Sequence, residues 1–124
     1  MNQIMPAGYA PRRRLLSDKY IFIPINRLPT MESLQKMLKN PQTTLIDVRT
    51  RGEYAAGHLD RAINVPLDEI EARISQIKGL SKPIVLYCRS GARSGMAAQI
   101  LRQADVQEVH NGGGIADLYL LSLN

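Results

Sequence analysis

The chain has 124 residues with 44% hydrophobic and 22% charged side chains, which supports one domain with a single core and leaves no run of the roughly 18–20 apolar residues that a membrane helix needs. The net charge of +5 would suggest a nucleic-acid or anionic-surface partner, but residues 1–30 hold five basic side chains against Asp18, while the rest hold eleven basic and ten acidic ones. The basicity thus belongs to the N-terminal segment, and with no aromatic platform among Arg12, Arg13 and Arg14 neither nucleic acid nor membrane is an expected partner.

Residues 1 to about 17 contain Pro6, Gly8 and Pro11 without periodicity and read as a mobile or loosely docked tail. Lys19 to Ile25 has strand composition, although Pro24 confines it to an edge. A basic N-terminal extension is therefore expected over residues 1–30 and the folded domain over 31–124. Thr30 suits the N-cap of a helix through Lys39, which Asn40-Pro41 ends. The pattern then alternates. Strands are expected at Thr44–Val48, Ala62–Val65, Ile84–Tyr87 and Val106–Val109. Helices are expected at Gly52–Ala56, Leu67–Ile77, Ser94–Gln103 and Ile115–Leu123, with Gly112–Gly114 as a loop.

Such alternation predicts an α/β fold, a mostly parallel sheet of four to five strands with helices on both faces. Ligands of these sheets sit at the carboxyl ends of the strands, which places Asp47, Arg49 and Cys88 at one edge. Cys88 is the only cysteine. That excludes an internal disulfide and a CxxC redox pair within this chain, and it fits a reducing compartment. With no secretory apolar core after Arg14, a cytoplasmic location is expected.

The hexad Cys88-Arg89-Ser90-Gly91-Ala92-Arg93 follows a buried strand and precedes a helix. A turn rich in small residues can curl so that several N–H groups point inward as an anion-binding nest. Arg89 and Arg93 add fork-shaped cationic donors, and cations and amide dipoles both lower a thiol pKa. Cys88 reads as a nucleophile inside a receptor for an anion, lined by Arg89, Ser90, Gly91, Ala92 and Arg93.

Four segments in order carry a family likeness. Leu45-Ile-Asp-Val-Arg-Thr-Arg-Gly-Glu-Tyr-Ala-Ala-Gly-His58, Ala62-Ile-Asn-Val-Pro66, Ile84-Val-Leu-Tyr-Cys-Arg-Ser-Gly-Ala-Arg-Ser94 and Asn111-Gly-Gly-Gly114 resemble the rhodanese domain, from about Met31 to the C-terminus. The resemblance implies a three-layer rhodanese-like domain and a thiosulfate sulfurtransferase-type enzyme. Cys88 would take a sulfane sulfur from thiosulfate or a persulfide donor and pass it to a thiol, cyanide or protein acceptor, without metal or organic cofactor. Arg89 and Arg93 would hold the donor. Two other readings remain: a non-catalytic, protein-docking module of the same family, and a phosphatase or arsenate reductase with a similar loop. Dual-specificity phosphatases place the arginine six residues after the cysteine, whereas here it is five, at Arg93. A tryptophan or other aromatic usual after the closing glycines is replaced by Leu118.

Asp47 lies in an apolar strand and needs donors; loop amides or an arginine near Cys88 are expected to supply them, which makes it a supporting residue. Arg49 and Glu53 are expected to form an ion pair across the strand–helix turn, with a substrate contact by Arg49 as the alternative. His58 reads as structural, and His110 is left without a role. Gly112–Gly114 is expected as a flexible wall of the site, and Met31, Met37 and Met96 as core fillers.

Overall fold

All five residues of Ile84–Cys88 are buried, the mark of a central strand covered on both faces. The computed structural model describes residues 29–124, so the expected N-terminal extension and its edge strand fall outside the described residues, apart from positions 29 and 30. Four strands, β1 (Thr44–Asp47), β2 (Ile63–Asn64), β3 (Ile84–Cys88) and β4 (Val109–Gly114), form one sheet in the order β2-β1-β3-β4. Every pairing is parallel. The helices are α1 (Met31–Lys39), α2 (Arg51–Ala56), α3 (Leu67–Ile70), α4 (Ile74–Lys78), α5 (Ala92–Gln103) and α6 (Ile115–Ser122), with a 3₁₀ turn at Glu71–Arg73.

Side chains alternate across a strand, so β3 feeds two separate cores. Ile84, Leu86 and Cys88 pack with Ile70, Ile77, Ala97, Ala98 and Leu101 beneath α3, α4 and α5. Val85 and Tyr87 pack with Leu34 of α1 and Leu118 of α6 on the other face. This is the three-layer α/β arrangement expected from the sequence. Each fully buried aliphatic side chain contributes about 1.5–3 kcal/mol, so the two layers hold the central strand from both sides.

Helix starts follow their caps. Thr30 accepts from the Ser33 amide at 3.0 Å and Thr50 from the Glu53 amide at 3.2 Å, each within a reciprocal capping box. The expected helix over 67–77 is broken instead. Helix α3 tightens into the 3₁₀ turn while the backbone stays helical, and Arg73, leaving the helical region at φ −115° and ψ 19°, separates that turn from α4.

The last strand also differs from expectation. It runs through Val109–Gly114 rather than ending at Val109, so the three glycines belong to the sheet and not to a flexible loop. A bulge lies opposite Leu86 and Tyr87, which face Asn111 and Gly113. Met37 packs against the second core as expected. Met31 and Met96 do not fill the core; they are exposed on the outer faces of α1 and α5.

Candidate active site

The turn after β3 is shaped around the Cys88 sulfur. Gly91 adopts the left-handed conformation at φ +102°, and its amide donates to Cys88 Sγ at 3.0 Å. Helix α5 begins at Ala92, two residues before its expected start, and Gly91 gives its first turn no side-chain cap. The first amides of a helix lack intrahelical partners, and here the sulfur accepts from that end of the helix. Gly114 runs so close to this turn that a Cβ there would lie 2.6 Å from the Arg89 carbonyl oxygen.

Cys88 is 1% exposed. Burial alone would raise its thiol pKa. Hydrogen bonds from the Ser94 hydroxyl and from the amides of Ser94, Gly91 and Ser90 outweigh that penalty and bring it down to about 7. The sequence pointed to both the two arginines and the loop amides as activators of the thiol. The leading favourable contributions come from the uncharged donors of the loop and helix start, joined by the Ser94 hydroxyl.

Two residues missed from sequence secure these donors. Ser94 is fully buried, with its Oγ 3.5 Å from Cys88 Sγ and donating to Asn111 Oδ1 at 2.7 Å. Asn111 also accepts from the Gly113 amide at 3.0 Å and donates through Nδ2 to the Gly91 carbonyl at 3.2 Å. It thereby ties β4 to the loop. Ser94 closed one of the recognisable segments and Asn111 opened another, but nothing in their spacing showed that their side chains meet.

The charged residues pair differently from expectation. Asp47 accepts from its near neighbour Arg49, at 2.9 Å from the backbone amide and 2.8 Å from Nη2. Arg49 Nη2 also donates to the Gly57 carbonyl at 2.6 Å, and its guanidinium lies 5.9 Å from the Tyr87 ring centre. The Asp47 hydrogen bonds raise the Arg49 pKa despite its burial. Strand parity explains the arrangement. Asp47 is in register with Tyr87, so its side chain faces the α1–α6 layer, whereas the next residue, Cys88, faces the opposite one. Asp47 therefore takes no donor from the Cys88 loop. Arg49, spent on Asp47 and Gly57, makes neither the expected pair with Glu53 nor an open substrate contact.

Glu53 instead grips Arg93. Its Oε1 accepts from Arg93 Nη1 at 2.7 Å and its Oε2 from Nη2 at 3.1 Å, a two-pronged pair. Glu53 Oε1 also accepts from the Thr50 amide at 2.9 Å. The Arg93 hydrogen bonds, helped by Thr50, hold the Glu53 carboxyl down to about 2. Arg89, Ser90 and Ala92 are exposed around the loop, and Arg89 makes no ion pair among the described residues. His58 stacks on Tyr54 with 3.7 Å between ring centres, consistent with a structural part. Leu118, which stands where an aromatic was expected, is buried in the second core beside Tyr87.

Comparison with known proteins agrees with this architecture. A Bacillus subtilis protein, YqhL, is 43% identical over 67 residues, which cover 54% of this chain and 52% of that one. The chain thus spans about half of that relative's length. The thiosulfate sulfurtransferase PspE of Escherichia coli is 36% identical over 74 residues, covering 59% of this chain and 71% of PspE. A protein named sulfurtransferase from Allochromatium vinosum is 35% identical over 94 residues, covering 74% and 87%. Among solved structures, a human single-domain sulfurtransferase superposes with a TM-score of 0.62 at 26% identity, covering 75% of this chain and 94% of the other. An Escherichia coli rhodanese with anions superposes at 0.55 and 36% identity, covering 60% and 89%. The family model of the rhodanese-like domain matches residues 30–119. On that match, and on a sheet and loop that agree with it, the chain belongs to the rhodanese-like family.

Proposed function

We propose that the protein is a sulfurtransferase that carries sulfur as a persulfide on Cys88. The observation that carries the reading is the Cys88 sulfur at the end of a buried strand, met by the Gly91 amide at 3.0 Å and the Ser94 hydroxyl at 3.5 Å, donors that draw its pKa down. The Cys88 thiolate attacks the outer sulfur of a donor such as thiosulfate. A new S–S bond forms, the old one breaks, and sulfite leaves with the bonding pair. An acceptor thiolate or cyanide then attacks the outer sulfur of the persulfide and releases Cys88 as thiolate. This is covalent catalysis in two half-reactions, so ping-pong kinetics are expected.

The loop amides stabilise the negative charge that resides on sulfur in both states. Arg89, exposed at the mouth, attracts the anionic donor, while Arg93 stands beside it paired with Glu53. Relatives named as sulfurtransferases support the reading. A reducing cytoplasm suits a lone thiolate, and we place the protein there. Intact mass after incubation with thiosulfate should show one added sulfur, roughly 32 Da, which Cys88→Ala abolishes. No adduct, or one that survives the substitution, rejects the proposal. Cys88-dependent hydrolysis of a phenyl phosphate in excess of sulfur transfer would instead favour phosphatase chemistry.

A further inference from the structure

Around the proposed sulfur site, full charges largely cancel. Arg93 is bound through both terminal nitrogens to Glu53, and Arg49 is bound to the buried carboxylate of Asp47. The two pairs sense one another, since Asp47 acts on Arg93 and Glu53 acts on Arg49. They form a neutral group of four. Arg89 is the cation of the loop that carries no ion pair among the described residues, and the Cys88 thiolate opposes it. A second negative charge on an incoming donor therefore meets the amide dipoles but little net positive charge.

We propose that Glu53 is a specificity-determining residue: by occupying Arg93 it biases the site toward sulfane-sulfur donors with one negative charge over dianions such as thiosulfate. This rests on the sulfur-transfer reading above. Thiosulfate and an alkyl thiosulfonate react by the same attack on the outer sulfur. The first releases sulfite, a dianion, and the second releases a sulfinate, a monoanion. They differ chiefly in the charge that must be seated beside Arg93. Geometry supports a charge role for Glu53 beyond holding the helix start. Both carboxylate oxygens accept from Arg93, and only Oε1 also serves the capping box with Thr50.

Glu53→Gln separates these roles, because glutamine also completes a capping box but leaves the Arg93 charge uncompensated. KM is measured with cyanide as acceptor for thiosulfate and for methanethiosulfonate. In Glu53→Gln, the ratio of KM for thiosulfate to KM for methanethiosulfonate should fall about three- to tenfold, the effect of one unit charge across a partly solvated gap. Arg89→Gln, on the exposed side of the loop, should move the ratio the opposite way by several-fold. An unchanged ratio in either variant overturns the proposal. So does an equal loss of kcat with both donors at constant ratio, which would mean that Glu53 only seats Arg93. A wild-type protein that gains no sulfur from either donor removes the sulfur-transfer reading and this inference together. A persulfide that forms while the ratio stays fixed removes the charge selection alone.

Discussion

Ser94→Ala tests whether hydrogen bonds set the reactivity of Cys88. The hydroxyl has a single proton, and two acceptors stand beside it, Asn111 Oδ1 at 2.7 Å and Cys88 Sγ at 3.5 Å. The longer contact is shared, so its worth lies at the low end for a bond to a charged group, about 1.5 kcal/mol, or roughly one pKa unit. With wild-type Cys88 at about 7, half the thiol is ionised at neutral pH, and alkylation by iodoacetamide should rise with pH through that midpoint. Raising the midpoint to about 8 cuts the thiolate to roughly one part in eleven at pH 7. A more basic thiolate is also a better nucleophile, by about threefold per unit. The two effects oppose each other. Near pH 7 the variant should react about twofold more slowly, above pH 9 about threefold faster, and the profiles should cross near pH 7.6. Alkylation rates measured from pH 5.5 to 9.5 decide the matter. Parallel profiles, with the variant slower at every pH, would mean that Ser94 only packs the loop and would refute the hydrogen-bond account.

Asp47→Ala leaves the Arg49 guanidinium buried without its carboxylate, which should cost about 3–5 kcal/mol and lower the urea midpoint sharply; a loss below about 1 kcal/mol would show that Arg49 escapes to water. Gly114→Ala places a methyl group 2.6 Å from the Arg89 carbonyl, so the loop must shift, at a cost of about 1–3 kcal/mol. Its thiol midpoint should rise as the amides leave the sulfur, and an unchanged alkylation profile would contradict this.

Periodicity and the strand-end rule made the sheet, its helical layers and the edge holding Asp47, Arg49 and Cys88 legible without coordinates. The loop from Cys88 to Arg93 was legible because a thiol, a glycine and two arginines in six residues have few structural uses. What escaped was pairing between elements. Arg49 and Glu53 stand four apart and look like partners, but Arg49 continues strand parity toward Asp47 and Tyr87, while Glu53, on α2, points across to α5. Local spacing cannot distinguish these outcomes. Parity can, once Asp47 is known to lie opposite Tyr87, and it excludes Asp47 from the Cys88 side of the sheet. The glycines misled for a related reason. Composition marks them as loop, yet β4 keeps them because the neighbouring backbone and side chains leave no room for a Cβ at Gly112 or Gly114.

The same facts give the loop its division of labour. A sulfur carrier needs a thiol that is largely ionised at neutral pH but still nucleophilic, and nucleophilicity falls as the pKa falls. Oriented amides lower the pKa by a fixed amount, because the backbone that holds them is part of β3, α5 and their turn. Two uncompensated arginines would lower it further and would hold both donor and released anion more tightly. Glu53 takes one of those charges out of play through a pair that stays ionised down to about pH 2. On the proposed sulfur-transfer reading, this keeps the Cys88 pKa near neutral pH, where attack by a thiolate is fastest, and would let the site attract an anion without retaining the product. In this reading, an arginine five residues after the cysteine is insufficient to define the site. The carboxylate on the neighbouring helix decides how much of that arginine's charge the donor meets.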